Sequence, residues 1–315
     1  MGGYVRREYP QWSWSFSRQQ MFASCPRRYY YNYYRSHNGW EYQAPEEAAA
    51  AYRLKKLTNL YLVLGEAVHR SAEQMVQRIQ AGRPLPEAET VEEEIRRLLR
   101  QVWISSRDNQ ALFLQKPNRV AMLHEFYYGL EIGGDVLAKI NARAVTSANA
   151  LAASPIWQAL QASETEIVSC EQFDTFLIGE TPVYAVPDLL FKDGAGRWVI
   201  VDWKTGEEVE DNQEQVALYA LYAHRKHGVP PQSILGRLDY LNLGTVRELT
   251  FSASDLQQVE AYAVESMAKM RSYLKDPEQN IAKAQADFPL TNSRGRCLWC
   301  NFYELCQEEL IESVS

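Results

Sequence analysis

Two aspartates and a lysine near the middle of the chain have the types and the spacing of a site that binds a divalent metal. β-branched, aliphatic and aromatic residues on both sides of a turn predict a two-stranded hairpin. If this hairpin is symmetric about Ala195, Asp188 and Asp202 lie opposite each other on one face, with Cβ atoms about 5 Å apart. Lys204 then projects from the same face. The predicted strands are 183–191 and 197–203, and the predicted turn is 192–196.

The charges on this face require a partner. Like charges that face each other destabilise a sheet unless something neutralises them, and a divalent metal does so while activating a water for the nearby ammonium. The apolar run 199–201 is typical of a strand buried on both faces, so the charges of Asp202 and Lys204 at its end need metal and phosphate as partners. A one-residue slip would place the aspartates on opposite faces, and a hairpin with a solvated polar face is the alternative.

The same residues resemble the motif of a known nuclease superfamily. Pro187-Asp188, a short spacer and Asp202-x-Lys204 form the pattern that names the PD-(D/E)XK nucleases. A helix follows that carries Gln215-x-x-x-Tyr219, and this order resembles the RecB-type branch of the superfamily. Every catalytic position of the pattern is filled, which favours an active nuclease.

The resemblance implies a role for each of these residues. Both aspartates are expected to hold Mg²⁺ or Mn²⁺, with the main-chain carbonyl of Trp203 as a further ligand. Lys204 is expected to orient or deprotonate the attacking water and to stabilise the charge that develops on the phosphate. Gln215 and Tyr219 share a helix face because they are four residues apart, and in this family they orient the lysine and the DNA backbone.

Two further metal ligands are predicted from the resemblance. A helix predicted over 62–80 carries Gly65-Glu66-Ala67-Val68-His69, which resembles the Gly-x-x-x-His motif of RecB-type nucleases. His69 is therefore expected to bind the metal, and a hydrogen-bonded structural histidine is the alternative. Glu171, in the first predicted strand near Glu166, is a second-tier ligand, and a solvated strand glutamate is its alternative.

The cysteines predict a second metal centre. Cys297-x2-Cys300-x5-Cys306 places three thiols close together, and Cys25 supplies the fourth ligand of a complete site. The segment 15–30 around Cys25 resembles the N-terminal helix of iron–sulfur nucleases, namely AddB-type domains and the small nucleases of CRISPR adaptation. This resemblance implies a 4Fe–4S cluster on the four cysteines. Zinc or three unrelated buried thiols are the alternatives, and Cys170 is predicted to be a small core residue.

The length allows one large domain or two small ones, and 46% hydrophobic residues indicate a globular chain. The resemblance implies a single nuclease domain over residues 1–315. The predicted fold is α/β, with a restriction-endonuclease-like mixed sheet core flanked by helices, a helical insertion and a C-terminal iron–sulfur segment. Capping boxes at Ser17 and Ser254 predict two helix starts. The predicted segments are N-terminal helices at 1–82, the insertion at 83–165, the nuclease core at 166–251 and the C-terminal helix with the three-cysteine segment at 252–315. Further predicted elements are a helix capped by a third box, Thr90-x-x-Glu93, a helix over 211–226, and strands over 238–243 and 247–251.

The net charge and the motifs limit which partners are expected. The net charge of −7 does not suit a protein that coats DNA, so DNA phosphates are expected to bind at local basic patches. Residues 1–6 have no apolar signal region and no apolar run is long enough to cross a bilayer, which predicts a soluble cytoplasmic protein with no membrane partner. No Walker A sequence occurs, so another chain would supply any motor. The patches are Arg27 with Arg28, Arg294 with Arg296, Lys55 with Lys56, and Arg225 with Lys226.

These observations predict a metal-dependent nuclease that hydrolyses phosphodiester bonds in DNA, on single strands or at ends. The expected partners are DNA and a helicase or a complex of CRISPR, defence or repair. The alternative is a non-catalytic subunit that binds DNA ends within a helicase or integration complex, with a structural cluster.

Overall fold

The computed structural model describes residues 6–312, so residues 1–5, on which the expected lack of a signal region depends, lie outside the described part. The helices are α1 Phe16–Ser24, α2 Pro26–Tyr30, α3 Glu46–Lys55, α4 Leu60–Gln80, α5 Ala88–Asp108, α6 Gln110–Gln115, α7 His124–Tyr127, α8 Gly134–Ala152, α9 Ile156–Gln161, α10 Glu210–His227, α11 Ala253–Arg271 and α12 Tyr303–Glu312. The strands are β1 Leu57–Thr58, β2 Met122–Leu123, β3 Glu166–Cys170, β4 Asp174–Ile178, β5 Thr181–Ala185, β6 Leu189–Lys192, β7 Trp198–Lys204, β8 Ile234–Tyr240, β9 Thr245–Thr250, β10 Leu274–Asp276 and β11 Ile281–Ala282. Within residues 6–312, no helix combines the length and the apolarity needed to cross a membrane.

The described chain divides into two compact units. The first contains residues 6–59, 103–130 and 265–312, and the second contains residues 60–102 and 131–264. The second unit therefore holds both the helix of His69 and the predicted nuclease core, and the first holds the four predicted cluster cysteines. The segment boundaries predicted at 82, 165 and 251 stay predictions.

The second unit is built on a five-stranded mixed sheet in the order β3-β6-β7-β8-β9. The β7 and β8 strands are parallel and the other neighbours are antiparallel. Parallel neighbours need a crossover, and α10 provides it between β7 and β8. The run Val199–Val201 is buried, as predicted for a central strand. This architecture confirms the predicted α/β fold with a restriction-endonuclease-like sheet.

The predicted first strand of the hairpin is two strands in the structure. β5 pairs with β4 in a separate two-stranded sheet, and β6 pairs with β3 and β7. Pro187 lies in the gap between β5 and β6, where a residue without an N–H cannot donate to a ladder. Within the hairpin, Leu189 pairs with Val201 and Lys192 pairs with Trp198. This register is symmetric about Ala195, as predicted.

The three predicted capping boxes differ from the structure. Thr90 lies inside α5, which begins at Ala88, and the other two caps are each shifted by two residues. Ser15, and not Ser17, caps α1. Ser252 caps α11 by exchanging hydrogen bonds with Asp255, in place of the predicted box at Ser254. In both segments the capping serine lies two residues before the predicted one.

The core of the first unit includes the tyrosine run near the N-terminus. Tyr29 and Tyr31 are each 1% exposed. The Tyr31 hydroxyl donates to the carbonyl of Leu305 at 3.0 Å, and its ring packs against Phe302. This part of the run therefore serves core packing.

Candidate active site and cysteine cavity

The hairpin brings the two predicted catalytic aspartates to the end of the sheet. Asp188 directly precedes β6 and Asp202 lies in β7, and both carboxylates are buried. Asp188 Oδ2 accepts a hydrogen bond from the backbone N–H of Trp203 at 2.7 Å, which fixes the orientation of this carboxylate. The carbonyl of Trp203 stays a predicted ligand.

His69 and Glu171 converge on Asp188. His69 Nδ1 lies 2.9 Å from Glu171 Oε1 and 3.3 Å from Asp188 Oδ1. One ligand atom from each of these three residues lies within 4.8 Å of the others, which is close enough for one metal ion to contact all three. An imidazole and carboxylates form a donor set that suits Mn²⁺ and tolerates Mg²⁺.

Glu171 reaches this position from one residue beyond β3, and not from within the strand as predicted. Its φ angle of 47° is left-handed, a conformation that costs a non-glycine residue about 1 kcal/mol or more. Its N–H donates to the carbonyl of Asp188 at 3.1 Å, so the turn is tied to the neighbouring strand. The left-handed turn ends the strand and carries the Glu171 carboxylate to His69.

Lys204 is held by two partners. Its Nζ lies 2.6 Å from Asp202 Oδ2 and donates to Gln215 Oε1 at 2.9 Å. Gln215 Nε2 in turn donates to the hydroxyl of Tyr219 at 2.8 Å, one helical turn along α10. The predicted pairing of Gln215 with Tyr219 on one helix face is present, and it fixes which amide atom faces the lysine.

The electrostatics of the site favour a cation between the carboxylates. Burial raises the pKa of Asp202 to about 7, and the nearby Asp188 adds to this effect while Lys204 opposes it. Burial disfavours the charged imidazole, but Asp188 and Glu171 overcome this and raise the pKa of His69 to about 11. Without a metal, the protonated imidazole is the cation that balances these carboxylates. The residues therefore fit a divalent ion chemically.

Two residues that support the site were not identified from the sequence. A methyl group on Gly236 of β8 would lie 2.6 Å from Val216 Cγ1, so glycine here lets α10 approach the sheet closely. Trp157 of α9 stacks on Trp203 with ring centroids 5.9 Å apart. An isolated glycine within a strand is the one signal that the sequence offered for this close approach.

The four predicted cluster cysteines line one cavity of about 130 Å³ in the first unit, together with Arg28 and Arg296. Cys25 lies between α1 and α2, and its Sγ accepts a hydrogen bond from the backbone N–H of Arg28 at 3.4 Å. Cys306 comes from α12, and none of the four cysteines forms a disulfide. The two ends of the chain thus contribute thiols to one space.

The cavity suits a group that binds thiolates. Burial raises the pKa values of Cys297 and Cys300, and it raises that of Cys306 to about 12, with neighbouring thiols adding to each shift. Neutral thiols are thus the stable form until a metal centre displaces their protons. The buried Nε of Arg28 has no hydrogen-bond partner among the described residues. Such a donor suits an anionic sulfur-rich group.

Cys170, in the second unit, takes no part in this cavity. It lies at the end of β3 and is half-buried, which is more exposed than the predicted core position. Burial raises the pKa of its thiol to about 12.

Three residues of the predicted basic patches, namely Arg27, Arg225 and Lys226, are already neutralised. Arg27 is buried, pairs with Glu309 at 2.5 Å and donates to the carbonyl of Phe288 at 2.8 Å. The prediction that Arg27 contacts DNA is therefore wrong, because its guanidinium stabilises the first unit from inside. Arg225 and Lys226 are likewise paired, with Glu260 and Asp174 respectively. Arg294 and Arg296 are exposed, and Arg28 lies in the cysteine cavity; these three stay predicted DNA contacts.

A family model described as the PD-(D/E)XK nuclease superfamily matches residues 13–307. The match covers nearly the whole chain, so the chain belongs to the PD-(D/E)XK nuclease superfamily. Nucleases of this superfamily use divalent metals. No curated protein matches the chain.

Proposed function

We propose that the chain is a Mg²⁺- or Mn²⁺-dependent deoxyribonuclease that hydrolyses phosphodiester bonds in single-stranded DNA or at DNA ends. The observation that carries this proposal is the convergence of His69, Glu171 and Asp188 beside the pair of Asp202 and Lys204. A donor set for one divalent ion and an ammonium group are the two parts that phosphodiester hydrolysis needs.

His69, Glu171 and Asp188 would hold the ion, with Asp202 beside them. The bound ion would supply Lewis-acid polarisation of the phosphate and a more acidic water. Binding it requires His69 to release its proton, since only the neutral imidazole is a ligand. Asp188 is already oriented by the Trp203 N–H, so this carboxylate needs little rearrangement.

Lys204 is the residue that meets the charge developing on the phosphate. A lysine ammonium has three N–H donors. In the described structure Lys204 Nζ donates to Gln215 Oε1 and is ion-paired with Asp202. A remaining N–H would be available to a phosphate oxygen or to the attacking water. Because Gln215 is fixed by Tyr219, the lysine is held in place before the substrate arrives, and this positioning lowers the cost of stabilising the transition state.

We further propose that Cys25, Cys297, Cys300 and Cys306 hold a 4Fe–4S cluster whose role is structural. The cavity that they share and the unpaired Nε of Arg28 support this assignment. Such a cluster would join the N-terminal and C-terminal segments of the first unit covalently through its sulfur ligands.

The test is a cleavage assay with end-labelled substrates in Mn²⁺, in Mg²⁺ and in EDTA. Single-stranded DNA, blunt duplex DNA and single-stranded RNA of one sequence separate the substrate classes. We expect cleavage of the single strand in Mn²⁺, none in EDTA, and loss of cleavage in Lys204→Ala. Lys192→Ala is the matched control, because Lys192 is an exposed lysine on the same hairpin. DNA binding without cleavage in any metal would instead support a non-catalytic subunit.

A further inference from the structure

One face of the first unit carries three cations that no carboxylate neutralises. Arg18, Lys55 and Lys56 have no acidic group within 4 Å among residues 6–312, although the chain as a whole carries a net charge of −7. This contrasts with Arg225 and Lys226, which are both paired. Like charges that are brought together without a counter-ion favour the binding of an anion.

Ring contacts organise these cations. The Arg18 guanidinium lies 4.0 Å from the centre of the Tyr33 ring, and Lys55 Nζ lies 5.4 Å from the same centre. Lys56 Nζ lies 5.2 Å from the centre of the Tyr52 ring. Lys55 also donates to the carbonyl of Asn32 at 2.9 Å, which fixes its position. Burial, and then the charges of Lys56 and Arg18, lower the pKa of Lys55 to about 8.

An exposed tryptophan continues this surface. Trp40 packs against Tyr52 with ring centroids 5.6 Å apart in an edge-on geometry, and it remains 44% exposed. Its position is fixed by Gly39, where a methyl group would lie 2.1 Å from the backbone oxygen of Ala48 in α3. The loop can therefore approach the helix closely only with glycine at this position, and Trp40 packs against the same Tyr52 ring that Lys56 contacts.

We propose that Arg18, Lys55, Lys56 and Trp40 form a binding surface for single-stranded nucleic acid in the first unit. The three cations would contact consecutive backbone phosphates, and a base would stack on Trp40. Cations interleaved with exposed aromatic rings are the combination that binds single strands without sequence preference. This surface rests on the proposed function for its biological substrate.

The experiment measures binding of a fluorescent single-stranded DNA oligonucleotide by anisotropy in EDTA, over a series of salt concentrations. Each phosphate contact on a single strand contributes about −0.7 to the slope of log K against log salt. The double variant Lys55→Gln/Lys56→Gln should therefore reduce the slope by about 1.4. Lys55→Arg/Lys56→Arg should retain the slope, and so should the matched control Arg225→Gln/Lys226→Gln. Lys56→Gln alone tests the surface with an exposed side chain, with a reduction of about 0.7.

Trp40→Ala distinguishes a nucleic acid from other polyanions. It should weaken binding of the oligonucleotide about tenfold and leave binding of inorganic polyphosphate unchanged. The inference is overturned by an unchanged slope in Lys56→Gln, by an equal loss in the control pair, or by a Trp40→Ala protein that binds the oligonucleotide normally. Binding in EDTA is independent of cleavage. If the wild-type protein binds the oligonucleotide but never cleaves DNA, the proposed function is contradicted and this surface stands. If the wild-type protein cleaves DNA but the salt slope is unchanged in Lys56→Gln, the proposed function stands and this surface is contradicted.

Discussion

Replacing Cys25 with serine removes one proposed cluster ligand while it keeps a hydrogen-bond acceptor at the start of α2. Cys25 Sγ accepts from the N–H of Arg28, and a serine oxygen can take over this capping contact. The substitution therefore separates ligation from capping, which Cys25→Ala would remove together. We expect Cys25→Ser to lose iron and to be much less stable than the wild-type protein.

The size of the effect follows from the length of the loop that ligation closes. Roughly 270 residues separate Cys25 from Cys297, and a cross-link over such a loop stabilises a protein by about 5 kcal/mol through the entropy of the unfolded chain. Contacts such as Arg27 with Glu309 join the same segments without a cluster. The variant is therefore expected to retain some folded structure, with a free energy of unfolding lowered by about 5 kcal/mol.

The assay combines iron and sulfide content with chemical unfolding of anaerobically purified protein. Cys170→Ser is the matched control, because Cys170 lies outside the cysteine cavity; it should keep its colour and its unfolding midpoint. Stoichiometric zinc without iron in the wild-type protein would refute the cluster. A Cys25→Ser protein that keeps its full colour and stability would refute this ligand assignment.

Three other predictions concern the active site. His69→Ala should reduce the advantage of Mn²⁺ over Mg²⁺ in kcat/KM, because nitrogen ligands favour the transition metal; an unchanged ratio would assign His69 to structure. In EDTA, the wild-type protein should lose stability relative to Asp202→Asn as the pH rises from about 4 to 7, since a carboxyl whose pKa is raised to about 7 binds its proton more tightly in the folded state. Thermal unfolding of both proteins across this pH range measures the difference, and a gain in the relative stability of the wild-type protein would contradict the predicted sign. Gly236→Ala should cost about 1–3 kcal/mol and lower kcat, because its methyl group would push Val216 and α10 away from the sheet; Gly134→Ala, where a methyl group meets nothing within 4 Å, is the control for unfolding and rate measurements.

The hairpin shows how much of the site the sequence predicts. Turn residues around Ala195 determine the register, and the register determines which residues share a face. The pairing of Gln215 with Tyr219 was also predictable, since helical spacing alone places them together. Local sequence was sufficient in both cases.

The position of Glu171 needed the structure. Its left-handed backbone is a feature of one residue that no periodic pattern records, and its contact with His69 joins positions far apart in the chain. The burial of Arg27 was missed for a related reason. Its sequence neighbours suggest a basic surface, but its partner Glu309 comes from the opposite end of the chain.

The central claim is that the second unit contains a metal-dependent phosphodiesterase site, and Asp202→Ala tests it most directly. The measurement is the rate of cleavage of end-labelled single-stranded DNA in Mn²⁺, made on wild-type and variant proteins with matching circular dichroism spectra. We predict cleavage by the wild-type protein and none above background by Asp202→Ala, because the variant lacks a carboxylate that positions Lys204 and lies beside the metal ligands. Full activity in a well-folded Asp202→Ala protein would contradict this assignment of the active site.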